Sequence, residues 1–280
     1  MTNPLFQYFR QPGIHIKLPS KGYYNDSSEM ALESSGEVAV YPMTGADEIM
    51  LTNPDALLNG SALERIIASC CPAVKNPKNL PIPDVDVIIL ASKLVSYGEG
   101  LNLIVKCPSC QIAKEFTLSI RDLLEQITYL PDQTTVRLND DLVVYLKPYT
   151  LDSNNKLNLA QFEETKIIQN LVNEDISETD RSRALSLAFE KISQLNLDLL
   201  SNSVMIVAMP DSTVTDQKDI REFIDNSDRK TVKLLKEGLA SFNQYGLPKT
   251  TELTCDNAKC GKSWQTPIVY DPSSFFVSNS

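Results

Sequence analysis

Histidine is nearly missing from this sequence: His15 is the only one among 280 residues. Any Ser-His-Asp apparatus would have to use it, and a catalytic metal site built from several histidines is excluded. His15 stands between Ile14 and Ile16 in an alternating stretch, the pattern of a strand residue rather than a catalyst. Glycine is scarce too, ten in all, and neither a phosphate-cradling glycine loop nor a nucleophile elbow is present. No apolar run approaches the roughly 20 residues of a membrane span, so no stable membrane insertion is expected. Met1 to Gln7 lacks the apolar core of a signal peptide, which points to a cytosolic protein whose thiols stay reduced. Basic residues are outnumbered 26 to 36, giving a net charge of -10 at pH 7, and they form no cluster. Nucleic-acid binding draws its affinity from neutralised phosphates, so no nucleic-acid partner is expected.

Against these absences stand six cysteines. Cys107 and Cys110 enclose Pro108-Ser109, and Cys255 and Cys260 enclose Asp256-Asn257-Ala258-Lys259. Both spacings suit the tight turns that supply ligands to structural zinc, which takes four thiolates in a tetrahedron. Pro108 in one turn and Gly261 beside the other help the backbone bend. Compact ribbons place their two turns about 15–20 residues apart, whereas here about half the chain intervenes. Two disulfides, or unrelated buried thiols, are the alternatives; cysteine pairs in a cytosolic chain more often bind metal than oxidise, which favours one Zn2+ shared by Cys107, Cys110, Cys255 and Cys260. Cys70 and Cys71 end an apolar helical run before Pro72 and read as buried thiols.

The remaining pattern is mixed. Residues 14–18 and 37–43 alternate as strands. Thr44 caps a helix over 46–51, Pro54 opens another to Leu58, and Ser61 caps a third carrying Leu63, Ile66, Ile67 and Cys70 on one face. Asp84 is expected to open a helix that runs to Val95 and stops near Gly98. Residues 113–118 return from the first cysteine turn, and Ser119 with Asp122 opens a helix to Tyr129. Asn139-Asp140-Asp141 joins 135–138 and 142–146 as a hairpin, which Pro148 and Ser153-Asn154-Asn155 end. Helices follow over 159–172 and, capped by Ser177 with Asp180, through Leu199. Val204–Met209 fits either a helix end or a buried strand. Asp216 or Asp219 opens a further helix and Asp228 the last, before Ile268–Tyr270 closes the second cysteine turn as a strand. Phe275 and Phe276 are expected to pack on the core, with a partner's groove as the alternative.

The fold class expected is α+β: a split, four-cysteine zinc-ribbon-like core with N-terminal strands and short helices, and a large, mostly helical insertion. The core comprises 1–125 with 248–280, and the inserted hairpin and helical subdomain 126–247. Paired carboxylates for a hydrolase, Asp84 with Asp86 or Asp140 with Asp141, are better explained as a helix cap and a turn. Zinc held by four cysteines has no open position for water, so no enzyme is expected.

Several stretches together resemble a known family: Leu18-Pro19-Ser20-Lys21-Gly22, Val38 to Thr44, Asp47 to Leu51, Pro54 to Gly60, the cysteine turns, and Tyr270 to Phe276. They are similar to the baseplate hub proteins of T-even-type contractile-tail bacteriophages. The resemblance covers 18–125 and 250–277, and across the insertion it rests on order and length. It implies a non-enzymatic hub component or hub assembly factor that acts by recognising other baseplate hub or tail proteins. Such a protein would be found in the host cytoplasm during assembly and in the virion tail baseplate. A nucleic-acid-binding zinc ribbon is the alternative that the motif alone would suggest.

Overall fold

In the computed structural model the described residues are 5, 8–173 and 178–270. The Ser177 cap and the Phe275–Phe276 pair lie outside them. The chain forms two compact units: Met1–Leu57 with Ser61–Leu130 and Gln244–Ser280, and Leu58–Gly60 with Pro131–Asn243.

The first unit is built around one helix. Val85, Val87, Ile88, Ile89, Leu90, Ala91 and Leu94 are all buried, and a helix apolar on every side must be enclosed. This is α4 (Ile82–Tyr97), the fourth helix in chain order. Around it pack the short pair β1 (Ile14–Ile16) and β2 (Val38–Val40), antiparallel with His15 opposite Ala39. Helices α1 (Gly45–Leu51), α2 (Pro54–Leu58) and α3 (Ser61–Cys70) follow. On α3, Ala62, Ile66, Ile67 and Cys70 are buried at helical spacing. Thr44 caps α1 with a complete capping box: its hydroxyl accepts from Asp47 N–H, and its own N–H donates to Asp47 Oδ2 at 2.9 Å. The buried Asp47 carboxylate also accepts from Ser69 Oγ at 2.7 Å, with Arg10 and Arg65 each 3.9 Å away.

Asp84 is not the cap of α4. The cap position is Pro81, and prolines suit the first turn because its N–H groups have no helical partners. Asp84 lies inside that turn, fully buried, and accepts the N–H of Ser20 at 2.8 Å and the Ser20 hydroxyl. Ser20 Oγ in turn accepts from Gly22 N–H at 3.0 Å, so one carboxylate organises the loop from Leu18 to Gly22.

Two hairpins complete this unit. β3 (Gly100–Lys106) pairs with β4 (Ala113–Ser119), followed by α5 (Ile120–Glu125), whose cap Ser119 accepts from Asp122 N–H. That helix stops four residues short of Tyr129. β9 (Thr250–Thr254) pairs with β10 (Ser263–Pro267). The closing strand of the second cysteine turn is therefore 263–267 and not 268–270, because pairing begins directly after the turn with Ser263 opposite Thr254.

The second unit contains a four-stranded antiparallel sheet in the order β5 (Thr134–Arg137), β6 (Val143–Leu146), β7 (Val204–Met209), β8 (Ser212–Val214). The expected hairpin is thus half of a larger sheet, and the ambiguous run at 204–209 is an interior strand. Val144 pairs with both Val136 and Val207. Between β6 and β7 run α6 (Leu151–Asn173) and α7 (Glu178–Asn202), antiparallel, with Lys191 on Glu163 at 2.6 Å. Asp216 and Asp228 cap α8 (Gln217–Asp225) and α9 (Arg229–Ala240). Gly238 lets α9 lie close on the sheet: a Cβ there would meet Val136 Cγ2 at 2.3 Å and Leu146 Cδ1 at 2.8 Å.

Candidate metal centre

Each hairpin of the first unit ends in a tight turn that carries two cysteines. In the first, Cys107 N–H donates to Ile112 O at 3.1 Å and Gln111 N–H to Cys107 O at 2.9 Å. In the second, Cys255 N–H donates to Lys262 O at 2.9 Å and Cys260 N–H to Asn257 O at 2.8 Å. The residue after the second cysteine is left-handed in both turns, Gln111 at φ 60° and Gly261 at φ 55°. Glycine adopts that conformation freely. In the first turn Gln111, and not Pro108, makes the corresponding bend, and its side-chain amide donates to Pro108 O at 3.0 Å.

The two turns bring their sulfurs together. All four Sγ atoms, of Cys107, Cys110, Cys255 and Cys260, lie within 4.8 Å of one another. Cys107 approaches Cys260 at 3.8 Å, and Cys110 approaches Cys255 at 3.8 Å. These separations are far beyond a disulfide bond of about 2.05 Å. Cys107 and Cys255 are buried, while Cys110 and Cys260 are partly exposed. Such a group could hold a metal ion.

Backbone N–H groups and the neighbouring thiols shift two of the four cysteines in opposite directions. The N–H of Cys110 points at the Cys107 sulfur and, with that of Ser109, brings its pKa down to about 7 against the effect of burial. Cys255 receives the N–H of Asn257, yet burial and the three neighbouring thiols push it up to about 12. Two further contacts join the hairpins. Lys114 donates to Asp256, and the Phe116 and Trp264 rings meet edge to face at 5.9 Å and 81°. Neither Lys114 nor Asp256 was signalled by the spacing of the cysteines, since their pairing exists only once the turns face each other.

Other candidates are placed elsewhere. His15 is half-exposed on β1 with Nε2 3.5 Å from Glu33. Asp141 N–H donates to Asn139 Oδ1 at 2.9 Å, a turn arrangement. Cys70 and Cys71 are fully buried, and burial raises both thiols, Cys71 to about 11. Among the described residues, no helix is long and apolar enough to cross a membrane.

The T4 bacteriophage base plate protein family matches residues 14–277. The chain belongs to that family and is a phage baseplate component. No curated protein and no solved structure matches it.

Proposed function

We propose that this chain is a non-enzymatic component or assembly factor of the baseplate hub, acting by protein–protein recognition, with one structural Zn2+ held by Cys107, Cys110, Cys255 and Cys260. The spacing of the sulfurs carries the metal half of this reading. Zinc–sulfur bonds of about 2.3 Å in a tetrahedron give sulfur–sulfur edges of about 3.8 Å, the separation of both cross-hairpin pairs. Four thiolate ligands leave no open position for water, so the ion would contribute folding energy and not chemistry. The baseplate family supports the recognition half, since a baseplate is built from tail proteins in contact. In this reading the body is 1–125 with 248–280, and the inserted 126–247 meets other hub or tail proteins.

Elemental analysis of the purified chain should find one zinc per molecule, and Cys255→Ser should lose it and melt at lower temperature. A Cys255→Ser chain that keeps its zinc and its melting temperature would refute the site. Presence of the protein in purified tails identifies a hub subunit, and presence in assembly intermediates alone identifies an assembly factor. Presence in neither ends the hub reading.

A further inference from the structure

The turns and their sulfurs are complete without the ion pair that lies beside them. Lys114 belongs to β4 of the first hairpin, and Asp256 follows Cys255 in the second. Their contact therefore spans the two hairpins next to the Cys110–Cys255 pair. Lys114 is the more enclosed partner, with 31% of its side chain exposed against 68% for Asp256. Its ammonium is held above its ordinary value first by the hydrogen bond to Asp256, and further by the charges of Asp256, Cys255 and Cys110. Asp256 directly follows Cys255, so the pair is tied to the sulfur group through the second turn.

A divalent cation with four thiolates carries a net charge of about -2, and groups outside the ligand shell commonly stabilise such charge and orient the ligands. We propose that Lys114 is the charge partner of the metal–thiolate cluster, positioned by Asp256, and that this pair sets how firmly the metal is retained. The inference rests on the metal reading above. Lys106, Lys259 and Lys262 also flank the turns but are exposed, and the ion pair that joins the two hairpins is made by Lys114.

The test is the rate at which the zinc-loaded full chain gives up its metal to a chromogenic chelator, with metal content measured beforehand and folding checked by circular dichroism. Lys114→Gln should release zinc about tenfold faster, the lower end of what such outer groups are worth. Lys114→Arg should stay close to the wild-type rate. Asp256→Asn, which keeps the ammonium but frees its position, should fall between them. Lys262→Gln should behave as wild type. The inference is overturned by a Lys114→Gln chain that releases zinc at the wild-type rate, or by Lys114→Arg releasing as fast as Lys114→Gln. It is equally overturned if Lys262→Gln is as fast, since surface charge in general would then be responsible. A wild-type chain that binds no zinc removes the metal reading itself; a zinc-bound chain indifferent to Lys114 removes only this step.

Discussion

Replacing Asp84 by Asn should make the protein more stable at pH 8 and leave it little changed at pH 4. The carboxyl is fully buried on α4, and its hydrogen-bond partners are the N–H and hydroxyl of Ser20, both neutral. Burial pushes its pKa from an ordinary 3.8 up to about 7, with Ser20 pulling the other way. The folded value lies above the unfolded one, so the folded state binds this proton more tightly. The resulting stability is complete below about pH 4 and is lost as pH rises through about 7. At about 1.4 kcal/mol per pH unit, the loss amounts to about 4 kcal/mol. Asparagine keeps an oxygen for the Ser20 N–H and offers an N–H to the Ser20 oxygen, but never ionises. Urea unfolding of both proteins between pH 4 and 8 should show the variant gaining on the wild type as pH rises to about 7. Asp86 is pushed up to about 6 by burial against the pull of Lys249; it titrates in both proteins and cancels in the difference. Asp84→Ala, which leaves the buried Ser20 N–H unpaired, should cost about 1–3 kcal/mol at pH 4. A stability difference between Asp84→Asn and wild type that is the same at every pH would refute the reasoning.

Gly238→Ala should lower the melting temperature: overpacking against Val136 and Leu146 costs about 1–3 kcal/mol, more than the gain of about 1 kcal/mol in helix propensity. A raised melting temperature would show that α9 does not lie against those side chains. Thr44→Ala removes one side of the capping box and should cost about 1 kcal/mol in denaturant unfolding. Trp264 is the only tryptophan and packs on Phe116 across the hairpins. In a zinc-loaded chain its emission should therefore change when a chelator removes the ion. Emission that stays constant through metal loss would mean that other contacts hold the hairpins together.

What the sequence discloses depends on how far a residue's partner lies. Thr44, Ser119, Asp216 and Asp228 cap helices through N–H groups two or three positions ahead, so their side chains announce the helix locally. Asp84 carries the same chemical signal, but its partner is 64 positions away on a loop, and two prolines set the helix start instead. Ser153-Asn154-Asn155 reads as a breaker, yet Thr150 O accepts from Asn154 N–H at 2.9 Å and the helix runs through all three. Val204–Met209 is apolar throughout and has no decisive period; its pairing with Val143–Leu146 settles it, and that strand lies two helices earlier. The cysteines were legible in pairs because each turn is local. The meeting of the four sulfurs was inferred from zinc's need for four ligands, and Lys114, Asp256 and the left-handed Gln111 had no signal of their own.

Because 145 positions separate Cys110 from Cys255, the four sulfurs cannot be assembled until the ribosome has passed Cys260. A ribosome adding about 5–20 residues per second needs roughly 7–30 s to cross that interval. Throughout it the first turn offers only two thiols. A message cut short before Cys255 leaves this half-set permanently unmatched, so the cluster distinguishes chains that reach Cys260 from those that stop before it.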